Sequence, residues 1–186
     1  MPRAGLSSDA VVAEAARLVD EDGAARLTLA ALAKRFGVAV PSLYKHVNGL
    51  DDLHTRLAVR SALELADAMR RAATGKSSAD ALKAVGTAYR RYAEQHPGRY
   101  GYLLRSRPDD QEHQKAAAEI LDILDDVFAG YQITGDDAVD AARLVRSTLH
   151  GFVSLETGGG FGMPRSVDRS FERLLDALDH ALRTWS

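Results

Sequence analysis

The sequence of 186 residues predicts an all-α protein. Apolar residues recur at three- and four-residue spacing through most of the chain, and no segment alternates with period two for long enough to form a strand. Hydrophobic residues make up 46% of the chain, which is ample for a buried core. Glycine and proline interrupt the periodic segments, and these breaks predict three small helices followed by a bundle of about six.

The first predicted helix begins after a serine and ends at Gly23. Ser7 or Ser8 can cap it, because a serine hydroxyl accepts a hydrogen bond from a free N–H of the first turn. The apolar positions of this helix keep helical spacing and are Val11, Val12, Ala15, Leu18 and Val19.

Residues 27–47, LTLAALAKRFGVAVPSLYKHV, predict two short helices joined by a tight turn. Thr28 stands where an N-cap belongs, since its hydroxyl can satisfy a first-turn N–H. Gly37 follows the first helix and is the residue best able to take the left-handed conformation that ends one. The apolar face of that helix consists of Leu29, Leu32, Ala33 and Phe36.

The second of these helices starts near Ala39 and exposes more side chains than it buries. Pro41 is tolerated in its first turn, where an N–H has no helical partner. Only Leu43 and Val47 face inward, and the outward residues are Ala39, Val40, Ser42, Tyr44, Lys45 and His46. Such a helix suits a DNA major groove better than a core. The stretch therefore predicts a helix-turn-helix, although an ordinary helix hairpin is the alternative.

The remaining chain predicts helices throughout. A long helix runs from about Leu50 to Ala73, and further helices are predicted over residues 79–95, 109–131, 135–155 and 168–185. We place the functional boundary near residue 49. Residues 1–49 would form a helix-turn-helix DNA-binding domain, and residues 50–186 would form a helical ligand-binding and dimerisation domain.

Composition excludes several classes of protein. The chain has no cysteine, which excludes disulfide frameworks and fits a reducing cytosol. It has neither an apolar run of eighteen residues nor a hydrophobic N-terminal segment, so we expect a cytoplasmic protein with no membrane partner. The net charge of −2 hides a small basic excess in residues 1–60. Phosphate contacts should therefore give modest affinity for each monomer, and useful DNA binding would need two copies.

Motifs for other chemistry are weak. The six histidines are scattered, so no metal site is expected. The glycine run at residues 158–162 lacks Gly-Lys-Ser/Thr and predicts a connector rather than a phosphate-binding loop. We expect no catalytic residues and no cofactor. The pair Arg90-Arg91 predicts a solvated helix face. His150 could pair with Glu156, or be a satisfied core histidine.

One stretch of motifs resembles the DNA-binding domain of the tetracycline-repressor (TetR) family over roughly residues 8–57. The matching residues are Thr28, Leu32-Ala33, Gly37-Val38, the run from Ser42 to Val47, and Leu53. The resemblance implies that Thr28, Tyr44 and His46 hold the DNA backbone, although Tyr44 could instead pack against the first helix. It implies that the residues in the base-reading positions are Ala39, Val40, Pro41, Ser42 and Lys45. Leu50 stands where the family usually has a lysine aimed at a phosphate, so that contact is not expected here.

Aromatic and histidine side chains in the second half suggest a small-molecule cavity. The candidate ligand-binding residues are Tyr89, Tyr92, His96, Tyr100, Leu103, Phe128, His150 and Phe152. The same residues could instead be ordinary core. The run His150-Gly151-Phe152 with the later glycines resembles a TetR C-terminal domain type named for a Trp-His-Gly signature. Leu149 takes the place of the tryptophan, and the resemblance carries no ligand identity.

A single reading helix covers few base pairs, so a two-fold dimer is expected. The last two long helices could supply half of a four-helix interface, as is the habit of the family. The candidate dimerisation residues are Leu144, Thr148, Leu155, Leu174, Leu178 and Leu182. The alternative is that these stripes pack inside one subunit.

Together these patterns and the resemblance predict a homodimeric transcriptional regulator, which we expect to be a repressor that a small hydrophobic ligand releases from a palindromic double-stranded operator. An activator would need the same DNA contacts, so the sequence leaves that choice open. Two alternatives remain open. One is an architectural DNA-binding protein that needs no ligand, and the other is a helical-bundle enzyme.

Overall fold

The computed structural model describes residues 6–103 and 110–185. Every regular element in this part of the chain is helical, which confirms the predicted all-α class. Residues 104–109, where the sequence predicts a proline break and the start of a helix, lie outside the described residues. No helix among those described is long and apolar enough to cross a membrane.

The helix boundaries agree with the predicted ones to within a few residues. In chain order the α-helices are α1 (Ser8–Asp22), α2 (Leu29–Phe36), α3 (Leu50–Ala73), α4 (Ser78–Gln95), α5 (Pro97–Tyr100), α6 (Gln111–Ala129), α7 (Asp136–Thr157) and α8 (Val167–Arg183). Two short 3-10 helices lie at Ala24–Arg26 and Val40–Lys45.

The chain divides into two compact units. We call the first the head, which comprises Met1–Ala62 and His96–Lys115. The second, which we call the bundle, comprises Leu63–Gln95 and Ala116–Ser186. This division rests on packing and does not test the predicted functional boundary at residue 49, which stays a prediction.

The first two helices of the head begin and end as the sequence predicts. The Ser7 hydroxyl accepts a hydrogen bond from the Ala10 N–H at 3.1 Å, and the Thr28 hydroxyl accepts one from the Ala31 N–H at 3.1 Å. Gly37 ends α2 with φ +66°, in the left-handed region where an L side chain would be strained.

The core of the head includes one residue from far along the chain. Tyr102 is fully buried among side chains of α1, α2 and the start of α3. Its hydroxyl lies 2.9 Å from Nδ1 of His54, and the two rings stack with centroids 5.5 Å apart. A buried phenol needs such a polar partner, so the residues after α5 are part of the head's folded core.

Helix α5 lies directly against α1. A Cβ on Gly98 would fall 1.9 Å from the Val19 carbonyl oxygen, so only glycine permits this approach. The Arg99 N–H and Nε donate to the Asp20 carboxylate at 2.9 and 2.6 Å. Residues 96–102 are therefore held on α1 by a steric fit and a charged pair together.

In the bundle, α4 packs against α7 and α8. Gly86 of α4 lies against Leu175 of α8. A Cβ at Gly86 would lie 2.5 Å from Cδ2 of Leu175, so the absence of a side chain lets the two helices pack closely. At the α6–α7 turn, the Tyr131 hydroxyl donates to Asp179 at 2.7 Å. Burial and that carboxylate raise the pKa of Tyr131 above its ordinary value, so the hydroxyl stays a donor.

Arg90 is half-buried and joins α4 to α7 and α8, so the prediction that it lies on a solvated face is wrong. Its guanidinium bonds Glu156 at 2.8 and 2.5 Å and Asp168 at 2.7 Å. The guanidinium carbon also lies 4.9 Å from the ring centroid of Phe171. Sequence spacing on α4 could not reveal these partners, because they come from α7 and α8.

Candidate nucleic-acid interface

Residues Val40–Lys45, which we call the reading helix, form a 3-10 helix. Leu43 and, just beyond it, Val47 are buried in the head's core, as predicted. Ala39, Pro41, Tyr44 and Lys45 are exposed, while Ser42 and His46 are half-buried. The segment therefore anchors two apolar side chains and presents a small, mostly polar outer surface.

Val40 differs from its predicted outward position. It is half-buried and packs against the head's core. The cause is the helix type, because a 3-10 helix has three residues per turn and places residue 40 on the same side as residue 43. Part of the Val40 side chain therefore belongs to the core rather than to the outer surface.

Tyr44 is 57% exposed, so the alternative in which it packs against α1 does not describe this structure. Neither the Tyr44 hydroxyl nor the Lys45 ammonium makes a hydrogen bond or ion pair with any other described residue. An exposed aromatic with a free hydroxyl beside a free cation contributes little to folding. Both groups are available to a phosphate or a base.

Thr28 has a second hydrogen-bonding capacity. Its oxygen accepts from Ala31, which leaves its own O–H free to donate. The residue is exposed at the N-terminus of α2, where unsatisfied N–H groups favour an anion. A DNA phosphate is a suitable acceptor for both kinds of donor.

The start of α3 presents no cation to DNA. Leu50 is half-buried and packs against the head's core. Next to it, Asp52 accepts from the Asn48 N–H at 2.8 Å and from Nε of Arg56 at 2.9 Å. Burial alone would raise the pKa of Asp52, but the Arg56 and Asn48 bonds outweigh it and hold the pKa below its usual value.

The candidate ligand residues fall in two groups. Five of them lie in the bundle. Of these five, Tyr89, Tyr92 and Phe128 are buried, and His150 and Phe152 are half-buried. The Phe152 ring packs on Phe161 and Phe171, with centroids 4.8 and 5.0 Å apart. A cavity lined by these residues stays a prediction.

The other three ligand candidates, His96, Tyr100 and Leu103, belong to the head. Nδ1 of His96 lies 2.7 Å from a guanidinium nitrogen of Arg99 and 3.4 Å from the Asp20 carboxylate. Tyr100 is buried and Leu103 is half-buried. His96 therefore takes part in the ionic contact between α5 and α1.

The suggested pair of His150 with Glu156 does not form. The Glu156 carboxylate is bound to Arg90, and His150 lies instead beside the Ser154 hydroxyl, with Nε2 3.2 Å from its oxygen. The Arg90 guanidinium forms a charge-assisted pair with the Glu156 carboxylate, which is stronger than a bond to a neutral imidazole.

The candidate dimerisation residues divide according to burial. Leu178 and Leu182 are buried within the subunit, and their part in a dimer stays a prediction. Helix α8 presents this stripe to its own bundle, where it packs against α4 and α7. Leu155 is 54% exposed, and Leu144, Thr148 and Leu174 are half-buried.

Comparisons with known proteins match both parts of the chain. A family model described as bacterial regulatory proteins of the tetR family matches residues 11–53. A second model, described as the tetracyclin repressor-like C-terminal domain, matches residues 82–178. The first match runs from within α1 to the first turn of α3, and the second runs from within α4 to within α8.

Two curated relatives carry regulator names. An uncharacterized HTH-type transcriptional regulator of Mycobacterium tuberculosis is 36% identical over 84% of this chain and 72% of its own length. The uncharacterized HTH-type transcriptional regulator YobS of Bacillus subtilis is 32% identical over 99% of this chain and 93% of its own length.

Among solved structures, the fold is similar to that of the TetR family protein ActR of Streptomyces coelicolor, in complex with (S)-DNPA. The TM-score is 0.70 at 16% identity, and the match covers 97% of this chain and 98% of that one. At this identity the likeness shows a shared fold.

Proposed function

Because the chain belongs to the TetR family of bacterial regulatory proteins, we propose that it is a homodimeric repressor that a small hydrophobic ligand releases from a palindromic operator. Proteins of this family are DNA-binding transcription regulators, so the chain is a transcriptional regulator and not an enzyme. We propose that it works in the cytoplasm, where the bacterial chromosome lies.

The exposed, unpartnered Tyr44 carries the proposal that the reading helix contacts DNA. Burying Leu43 fixes the helix, and the same turn leaves Tyr44 and Lys45 free at the surface. We assign the backbone phosphates to Thr28, Tyr44 and His46 because each carries a polar tip at an accessible position. We assign the base contacts to Ala39, Pro41, Ser42 and Lys45. The half-buried Val40 would contact the bases with the exposed part of its side chain.

A two-fold pair of subunits would place two reading helices about one DNA turn apart or at a multiple of it. We assign the dimer contact to the outer face of α7, where Leu144, Thr148 and Leu155 recur at helical spacing beside the half-buried Leu174 of α8. Gly151 lies on the same face with open space around its Cβ position, which would let a partner helix approach closely.

The ligand proposal rests on the bundle's aromatic side chains. Tyr89, Tyr92, Phe128 and Phe152 supply apolar and phenolic surface, and His150 adds a polar group. The complex of ActR with (S)-DNPA, a protein of similar fold with a bound ligand, supports a ligand site in this chain as well. We place the ligand in the bundle and expect it to be predominantly apolar.

Helix α3 is the proposed link between ligand and DNA, since it begins in the head at Leu50 and ends in the bundle at Ala73. A ligand that prefers one tilt of α3 would change the spacing of the two reading helices in the dimer. Coupling of this kind typically amounts to about 1–3 kcal/mol. If the distance between the two reading helices of the dimer is the same with and without ligand, this mechanism is ruled out.

The DNA-binding proposal is tested by selecting duplexes from a random pool with the purified protein and sequencing those retained. We expect a palindrome whose binding is lost in Tyr44→Ala and Lys45→Ala. Tyr44→Phe, which keeps the ring and removes only the hydroxyl, separates phosphate bonding from apolar contact. Recovery of no motif would reject a sequence-specific repressor and favour the ligand-independent architectural binder.

The dimer proposal is tested by Leu155→Glu, which places a charge on the most exposed apolar residue of the proposed patch, near the C-terminal end of α7. We expect the variant to sediment as a folded monomer and to lose operator affinity, because each half-site alone is bound weakly. Val139→Glu is the matched control, since Val139 is an exposed apolar residue of α7 outside the proposed patch. A dimer that survives Leu155→Glu would place the interface elsewhere.

A further inference from the structure

We propose that a basic groove beside Thr28 holds the phosphates of the DNA that flanks the operator half-site. The groove has a volume of about 860 Å³ and is formed by the end of α1, the 3-10 helix Ala24–Arg26 and α2. Its polar walls include Arg26, Thr28, Lys34 and Arg35. The inference rests on the proposed function, because it requires that Thr28 faces DNA.

Arg35 has its charge compensated within the head. Its guanidinium bonds Glu14 at 3.2 Å, Glu21 at 2.8 Å and Asp22 at 2.8 Å. The hydrogen bond to Glu14, followed by that to Glu21, raises the pKa of Arg35 above its ordinary value. Asp22, the acidic member of the groove, is occupied in the same cluster. Neither charge is available to a ligand.

Arg26 and Lys34 are different from Arg35. Both are exposed, and neither side chain makes a hydrogen bond or ion pair with another residue in the part of the chain that the structure describes. Arg26 and Lys34 therefore add two positive charges to the lining that contains the Thr28 hydroxyl, next to a cluster whose three carboxylates exceed the charges of Arg17 and Arg35 by one. An anion is the ligand that this lining would attract.

The spacing of the charges favours a polymeric anion over a small one. Lys34 lies six residues beyond Thr28, which is about 9 Å along the axis of α2. Arg26 lies on the other side of Thr28 in the chain. Cations spread over this length can follow successive phosphates of one DNA strand, whereas a single small anion would reach only one of them.

The groove would also replace a missing contact. At Leu50 the chain has an apolar side chain packed on the head's core, so the start of α3 supplies no lysine to a phosphate. Arg26 and Lys34 would provide positive charge from the opposite end of the helix-turn-helix. The DNA contacted there would lie outside the bases that the reading helix covers.

The test is the salt dependence of binding to the duplex that the selection experiment recovers, measured with the full-length protein. Each neutralised phosphate contributes about 0.9 to the slope of log affinity against log salt. Arg26→Gln or Lys34→Gln removes one contact in each of two subunits, so the slope should fall by about 1.8. Between 50 and 200 mM salt, the wild type should lose about tenfold more affinity than either variant.

The control is Lys76→Gln, which removes the same charge from an exposed residue of the bundle whose ammonium bonds the Ala72 carbonyl and no other described residue. Its salt slope should equal that of the wild type. A second measurement trims the base pairs outside the palindrome. The wild type should weaken on the trimmed duplex, and the double variant Arg26→Gln/Lys34→Gln should bind both duplexes equally.

The outcomes separate this inference from the proposed function. Unchanged slopes in Arg26→Gln and Lys34→Gln, together with loss of binding in Tyr44→Ala, would overturn the groove alone. An equal fall in slope for Lys76→Gln would also overturn it, since the effect would then be one of general charge. Failure to recover any palindrome would overturn the proposed function, and the groove with it.

Discussion

Each unit of the molecule contains one arginine that gathers three carboxylates, and the two arginines differ in how far water reaches them. In the head, Arg35 of α2 holds Glu14, Glu21 and Asp22, and its side chain is 27% exposed. In the bundle, Arg90 of α4 bonds Glu94, Glu156 and Asp168, and its side chain is 14% exposed.

The difference in exposure determines how much stability each arginine cluster contributes. In each cluster two carboxylates are exposed and one is well shielded, Glu14 beside Arg35 and Glu156 beside Arg90. The difference lies at the arginine itself, because two guanidinium nitrogens of Arg90 bond Glu156 and the Phe171 ring covers the guanidinium. Water and salt therefore weaken the pairs of Arg35 more than those of Arg90, and removing Arg90 leaves the half-buried Glu156 without its partner.

The largest expected effect is that of Arg90→Ala. It leaves the half-buried Glu156 carboxylate without its partner and removes the cation–π contact with Phe171, so the free energy of unfolding should fall by about 2 kcal/mol. Urea unfolding at fixed protein concentration measures this. The matched control is Arg91→Ala, the exposed neighbour on α4, which should change the stability little. Equal losses of stability in Arg90→Ala and Arg91→Ala would show that the partners of Arg90 add little stability. The contrast between Arg35 and Arg90 would then no longer hold.

A smaller effect is expected from Arg35→Gln. The melting temperature should fall at low salt, because three carboxylates lose their common cation. The deficit relative to the wild type should shrink in 1 M salt, where the Debye length is only about 3 Å. The deficit of Arg90→Ala should persist under the same conditions. A salt-independent deficit for Arg35→Gln would mean that the head's arginine cluster is as shielded from solvent as the bundle's.

The smallest effect is expected for Asp52, because its ion pair joins one carboxylate to one arginine, Arg56. Its pKa in the folded head lies below the ordinary value of 3.8, so its stabilisation is present above that pH and is lost as the pH falls through the folded pKa. Asp52→Asn should therefore be less stable than the wild type near pH 7, by about 0.5 kcal/mol, and should converge with it in acid. Thermal melts across the pH range measure this. A difference that stays constant down to pH 2 would contradict an ionic origin.

The sequence predicted most of the head because its signals are local. Thr28, Gly37, Leu43 and Val47 act within one or two turns of their own position, so spacing alone located the caps and the inward face. The 3-10 form of the reading helix was not visible, and it moved Val40 toward the core. The place of Tyr102 was also hidden, because its partner His54 lies 48 residues earlier.

The sequence predicted the helices of the bundle but not which side chains of those helices contact each other. Amphipathic spacing on α4 and α8 gave the elements, while the choice of neighbours depends on the tertiary arrangement. Arg90 illustrates this, since an arginine in a helical pattern is solvated unless another helix brings acids to it. Leu178 and Leu182 illustrate it again, because a leucine stripe does not say whether it faces its own subunit or a second one.

The docking of residues 96–102 on α1 bears on how freely this head could be exchanged between proteins. A fragment cut at Ala62 would lack Tyr102 and the Arg99 partner of Asp20, leaving a hole in its core and an unpaired carboxylate on α1. A hybrid regulator built by splicing the N-terminal stretch onto a foreign sensor would inherit the same defect. The transferable module is discontinuous, and a splice that keeps it intact must carry Gly98, Arg99 and Tyr102 along with the first 62 residues.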